Sequence, residues 1–190
     1  MFHIKITRKE ILLATLRDIK KKFFSLSKKD QENMLKEIYG FSKDMKEFLN
    51  VRLLGDGEEK FIEQIKKATE SATPTGMPKI IKVVNVNSIL NKAKKSNVKK
   101  ETLCDMEWYA FDGYMTFLND YGGGPDSFEN KVYDHLKNYL LLLIEISNNK
   151  QKLEDELLGV ENYLSQHDNM YNDHLYELYE DLSAEYVCKD

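Results

Sequence analysis

One stretch of the chain, residues 99–146, sets the strongest constraint on the fold. It contains the only tryptophan, Trp108, a run of three glycines followed by Pro125, and the longest apolar run, residues 139–146. Apolar residues recur at helical intervals on both sides of the glycines, and glycine with proline ends a helix. The stretch therefore predicts two long helices in an apolar hairpin. Because a helix that is apolar on most sides is usually buried, we expect this hairpin to form the core.

Helix boundaries are predicted from capping residues in the first quarter of the chain. A first helix is predicted to begin at the capping box of residues 7–10 and to run through Thr15. Ser27 and Ser42 are predicted to be N-caps because a serine hydroxyl can accept a hydrogen bond from a free backbone amide of the first turn. Gly40 is predicted to end the second helix.

Residues 80–86 are rich in β-branched side chains and would suit a strand. A single strand cannot satisfy its backbone hydrogen bonds, and no second strand candidate is present to pair with it. The segment is therefore predicted to be helical. The sequence predicts an all-α fold of about nine helices without a sheet. The helices would pack as successive helical hairpins, in an orthogonal bundle or a short stack of the HEAT or TPR kind.

The chain divides by charge. Residues 1–100 carry 23 Lys and Arg against 12 Asp and Glu, a net charge of +11, whereas residues 101–190 carry 5 against 20, a net charge of −15. Residues 74–78 contain two prolines and a glycine and are predicted to link a basic four-helix region, 1–73, to an acidic helical region, 79–190, within one compact domain. The basic half either binds a polyanion or faces the acidic half, within the chain or head to tail between chains. We favour the second interpretation because basic and acidic residues alternate as on solvated helix faces.

The two cysteines, Cys104 and Cys188, are far apart and neither belongs to a CxxC motif, which favours reduced thiols. No secretory signal is recognised near Met1. The apolar run at 139–146 is much shorter than the ~20 residues needed to span a bilayer. We therefore expect a cytoplasmic protein that does not enter a membrane.

No metal, cofactor or catalytic set is predicted. The glycine run is not followed by the GK[ST] of a phosphate-binding loop. His167 and His174 are seven residues apart, but no HExxH or Glu-x-x-His motif accompanies them. No nucleophile and base can be assigned as a pair from the sequence.

Six residues are candidates for interaction or function: Asp105, Trp108, Asp112, Tyr121, Lys92 and Lys95. The two aspartates are seven residues apart in an aromatic helix, and burial there would raise a carboxyl pKa, as a general acid requires. Alternatively, acids of this helix line its solvent face, or a buried carboxylate pairs with the lysine-rich segment before it. The two lysines belong to residues 92–100, the best candidate segment for binding a polyanion.

Two groups of short segments resemble an uncharacterised family of small bacterial helical proteins, a domain of unknown function. The resemblance extends over residues 12–146 and is carried by LSKKD at 26–30, MLKEIY at 34–39, KEFL at 46–49, PKIIK at 78–82, FDGYMTF at 111–117 and DYG at 120–122. It implies an all-α fold. It supplies no activity, cofactor or catalytic residue.

The sequence therefore favours a non-catalytic helical protein that presents helix faces to a protein partner or to a second copy of itself. One alternative is nucleic-acid binding through the basic N-terminal half. The other alternative is an enzyme that uses the acids of the central aromatic helix.

Overall fold

The structure, a computed structural model, describes residues 14–71, 77–167 and 172–187. Within these ranges the chain forms nine α-helices and no strand, which confirms the all-α prediction. The predicted capping box at 7–10 and most of the predicted linker at 74–78 lie outside the described residues. The helices are α1 Leu16–Phe24, α2 Lys28–Phe41, α3 Lys43–Leu54, α4 Glu59–Thr69, α5 Val83–Ser96, α6 Lys100–Tyr121, α7 Ser127–Ile146, α8 Lys150–Gln166 and α9 Asn172–Val187.

The chain divides into two compact units, Met1–Lys46 and Glu47–Asp190. In the first unit, α1 and α2 bury none of their residues. The side-chain amide of Gln31 donates hydrogen bonds to the carbonyls of Phe23 and Leu26, at 3.3 and 3.1 Å, and so joins the end of α1 to α2.

Two predicted helix boundaries in the first unit are wrong. Thr15 is the N-cap of α1 rather than a residue inside a helix, because its hydroxyl accepts from the Asp18 amide while the Asp18 carboxylate accepts from the Thr15 amide. Gly40 does not end α2, since an interior glycine costs a helix only about 1 kcal/mol and α2 continues to Phe41. Ser27 and Ser42 accept hydrogen bonds from amides three residues on, as predicted.

In the second unit, α6 and α7 form the most extensive helix interface, which confirms the predicted central hairpin. The chain turns between them at Gly122 and Gly123, whose φ angles of 68° and 151° disfavour any residue with a Cβ. The largest fully buried side chains come mainly from this hairpin: Tyr114, Phe61, Phe111, Phe128, Ile65, Met106, Met115, Leu118, Leu136, Leu140, Leu153 and Leu164.

The remaining helices of the second unit pack around the hairpin. α4 packs against α6 and α5, and α9 packs against α7 and α8. The segment predicted to be helical despite its β-branched residues does form a helix, α5, from Val83 onwards. No helix in the described part of the chain combines the length and the apolarity needed to cross a bilayer.

Two contacts fix how α4 meets α6. The buried Glu58, just before α4, accepts hydrogen bonds from the backbone amide of Lys99 at 3.2 Å and from the hydroxyl of Thr102 at 2.5 Å, and so caps the first turn of α6. Farther along, Thr69 lies directly against Gly113. A Cβ built on Gly113 would lie 2.3 Å from the Cβ of Thr69, so α4 can approach α6 this closely only because residue 113 is glycine.

Candidate functional site

The centre of the second unit contains a buried carboxylate, Glu107 of α6, whose side chain is 1% exposed. One carboxylate oxygen, Oε2, lies 2.6 Å from Nδ1 of His135 on α7. The other, Oε1, accepts from the ammonium group of Lys94 on α5 at 3.3 Å. A buried carboxylate is unfavourable unless it is paired. The two pairs of Glu107 therefore hold α5, α6 and α7 together.

One hydrogen bond joins His135 to Glu107 within the core. When the Glu107 carboxylate is ionised it only accepts hydrogen bonds, and Nδ1 of His135 is then the donor. The other ring nitrogen, Nε2, is buried without a hydrogen-bond partner in the described structure, as is the hydroxyl of Tyr114. The Tyr114 ring stacks on the imidazole with 5.7 Å between the ring centroids. His135 is therefore held between an acid and an aromatic ring, within the hydrophobic core.

Asp105 and Asp112, the two predicted acids of the central helix, do not meet. Asp105 lines a pocket of about 420 Å³ together with Cys104 and Glu156. Partial burial, and then repulsion from Glu156, raise the pKa of the Asp105 carboxyl. Asp112 instead lines a pocket of about 630 Å³ beside α4, and it accepts a hydrogen bond from the Tyr163 hydroxyl at 2.7 Å. The seven-residue spacing therefore does not create a shared carboxylate site.

The two predicted aromatic residues are partly buried in the second unit. Trp108 packs against Tyr139 and Tyr163, with ring centroids 4.9 and 5.1 Å away. Tyr121 packs against Phe117, and its hydroxyl donates to the carbonyl of Ser71 at 3.3 Å. Trp108 connects α6 to α7 and α8, Tyr121 connects α6 to the segment after α4, and both side chains retain some exposed surface. Their proposed roles in interaction stay predictions.

Lys92 and Lys95 are exposed on α5, whereas their neighbour Lys94 turns inward to Glu107. His167 stacks on the Tyr163 ring at 4.0 Å and its Nδ1 donates to the Tyr163 carbonyl, and His174 lies 3.8 Å from Glu177 on the surface. Within the described residues, no group of three or more His, Cys, Asp or Glu side chains is arranged to hold a metal ion.

The Glu107–His135 pair is the main feature that the sequence did not identify. Pairing of a buried carboxylate with the lysine-rich segment was one of the predicted alternatives, and Glu107 forms such a pair with Lys94. His135 could have been recognised from its position between Val132 and Tyr139, on the apolar face of α7. A histidine on a core-facing stripe needs a polar partner, and the nearest apolar helix supplies an acid.

Comparisons of the chain with protein family models, curated proteins and solved structures gave no significant match.

Proposed function

We propose that this chain is a non-catalytic helical protein that binds a protein partner through α1 and α2. The observation that carries the proposal is the exposure of large apolar side chains on these two helices. In α1, Leu16 is 66% exposed and Phe24 is 74% exposed, and in α2 Phe41 is 84% exposed. Ile19, Met34, Leu35, Ile38 and Tyr39 are also exposed. Contiguous exposed apolar surface on a folded protein is typical of an interaction site.

Helix length supports the same proposal. α1 contains 9 residues and α2 contains 14, and helices of up to about 12–15 residues are marginal in water without tertiary packing. Neither helix buries a residue in the described structure. Each side chain of the Leu, Ile or Phe type contributes about 1.5–3 kcal/mol when it is fully buried. A partner that covers this surface therefore stabilises both the helices and the complex.

The charges around the apolar surface indicate the chemistry of the partner. Leu16, Ile19 and Phe23 follow one another at helical spacing and form a stripe on one face of α1. Lys20 and Lys22 border this stripe on either side. We therefore propose that the partner contributes an amphipathic helix with an apolar face and acidic borders, which is a common mode of helix recognition.

The test uses the full chain and two synthetic amphipathic helices that share the same leucine face. One peptide has glutamates along its borders and the other has lysines. We expect the glutamate peptide to bind and the lysine peptide to bind far more weakly. Ile19→Asp should weaken glutamate-peptide binding more than about tenfold, because it places a charge in the apolar stripe.

Lys21→Gln is the matched control, since it changes the net charge by the same amount on the opposite face of α1. It should leave binding nearly unchanged. Equal effects of the two substitutions would overturn the apolar-face mechanism. A concentration-dependent increase in mass that Ile19→Asp abolishes would show that a second copy of the chain is the partner, and would overturn the acidic-partner proposal.

A further inference from the structure

A second feature of the chain, separate from α1 and α2, is a segment of lysines without acids. Residues 77–100 contain seven lysines and no Asp or Glu. Within the described residues, Lys94 pairs with Glu107 and Lys100 pairs with Glu145. Lys79, Lys82, Lys92 and Lys95 are exposed. This segment therefore presents positive charge that its own sequence does not neutralise.

The fold of α5 places part of this charge on one face. Val86, Leu90 and Ala93 are buried, so the opposite side of α5 faces solvent. Asn85, Ser88, Lys92 and Lys95 recur at intervals of three and four residues and share that outer face. Between Asn85 and Lys95 the stripe contains no apolar side chain. The exposed Val84 lies on the same face, at its N-terminal end, so the polar part of the face extends from Asn85 to Lys95.

A concave surface continues the stripe at the N-terminal end of α5. A pocket of about 640 Å³ between α4 and α5 has basic, polar and apolar lining residues: Lys67, Lys79, Lys82, Gln64, Asn85, Ser88, Ala68, Ile80 and Ile89. No carboxylate is among its lining residues. The first turn of α5 also lacks an acidic residue, so no side chain there opposes the positive end of the helix dipole.

We propose that this pocket and the outer face of α5 bind the phosphate backbone of a nucleic acid. The stripe from Lys82 to Lys95 is about 20 Å long at the helical rise of about 1.5 Å per residue. That length matches the rise of about six nucleotides of one strand in a duplex. A single small phosphate would occupy only the pocket and would leave Lys92 and Lys95 unused.

Residues 77–100 contain no Phe, Trp or Tyr, so this surface offers no aromatic ring on which a base could stack. Asparagine, serine and lysine are side chains that contact phosphate and sugar, which position a protein on a duplex without reading its sequence. Binding is therefore sequence-independent, and duplexes of different sequence bind equally.

The experiment measures fluorescence polarisation of a labelled duplex of about 20 base pairs with the full chain. If four lysines neutralise four phosphates, log affinity falls with log salt at a slope of about −3.6, so affinity falls on the order of 10²-fold between 50 and 200 mM salt. Lys92→Gln with Lys95→Gln should make the slope less steep by about 2 units. Lys79→Gln with Lys82→Gln should do the same. These side chains are exposed, so the variants should retain the wild-type circular dichroism spectrum.

Lys20→Gln with Lys21→Gln is the matched control, because it removes two charges from α1 instead. Unchanged binding in this control supports the α5 site, whereas an equal loss of affinity would overturn it. No binding at 50 mM salt, or equal binding of polyglutamate or of anionic lipid vesicles, would also overturn the proposal. Ile19→Asp should not affect duplex binding, so this proposal and the partner-binding proposal can fail independently.

Discussion

Gly113→Ala offers a quantitative test of the contact between α4 and α6. Replacing an interior helical glycine with alanine stabilises a helix by about 1 kcal/mol when space is available. At this position space is not available, because the new Cβ would lie 2.3 Å from the Cβ of Thr69 and 2.5 Å from its hydroxyl oxygen. We therefore expect the sign of the effect to reverse.

The magnitude follows from the required displacement. Carbon atoms in contact are separated by about 3.5–4.0 Å, so α4 and α6 must separate locally by about 1.2 Å or more. The α4 backbone fixes the Cβ of Thr69, so side-chain rotation does not relieve this overlap, and the Thr69 hydroxyl is held by its hydrogen bond to the Ile65 carbonyl. Overpacking of this kind costs about 1–3 kcal/mol, sometimes more. After the helix gain of about 1 kcal/mol is subtracted, the net loss in the free energy of unfolding is up to about 2 kcal/mol.

Urea denaturation followed by far-ultraviolet circular dichroism measures this change, provided that the slope of the free energy against denaturant is the same in each variant. Gly159→Ala in α8 is the matched control, since a Cβ there would meet no atom within 4 Å. It should stabilise the protein by up to about 1 kcal/mol. In a Thr69→Gly background, which removes the opposing Cβ, Gly113→Ala should become stabilising. A stabilising Gly113→Ala in the wild-type background would refute the close approach of α4 and α6.

Four further substitutions test the second unit, each by its midpoint of thermal or urea unfolding. Glu107→Ala should lower the free energy of unfolding by about 3–5 kcal/mol because it leaves buried polar groups unpaired. Lys94→Met, at the half-exposed end of the network, should lower it by less than about 1 kcal/mol. Equal losses in the two variants would contradict this difference. Glu58→Ala should cost about 1–3 kcal/mol through lost capping of α6, and a neutral result would contradict the cap. The pKa of Asp105 is raised in the folded state by burial and by Glu156, so wild-type stability should fall as pH rises from the unfolded pKa near 3.8 through the folded one. Asp105→Asn should remove this dependence and gain stability at neutral pH, and an unchanged pH profile would contradict it.

The central hairpin could be predicted from the sequence because its signals are local. The helix break at Gly122 and the apolar spacing on either side of it depend on residues close together in the chain. The same locality explains the correct N-caps at Ser27 and Ser42. The prediction for Thr15 is wrong because threonine suits two positions. Its methyl group fits the apolar face of a helix, and its hydroxyl can cap the start of one.

The contacts that define the candidate sites could not be predicted, because they join residues distant in the chain. Glu107 and His135 are 28 residues apart, and Glu58 and Lys99 are 41 residues apart. The need for glycine at position 113 depends on a threonine in another helix. Helical periodicity identifies the face on which a residue lies, but not the helix that the face will meet.

The position of Trp108 makes it an internal optical probe of one unit only. It is the single tryptophan of the chain, and its indole ring lies among aromatic rings contributed by α6, α7 and α8. Its emission should therefore shift when those three helices separate, and tyrosines nearby should transfer excitation to it while they stay packed. An emission transition that occurs at higher urea than the loss of helical ellipticity would show that helices elsewhere in the chain melt before the aromatic junction opens.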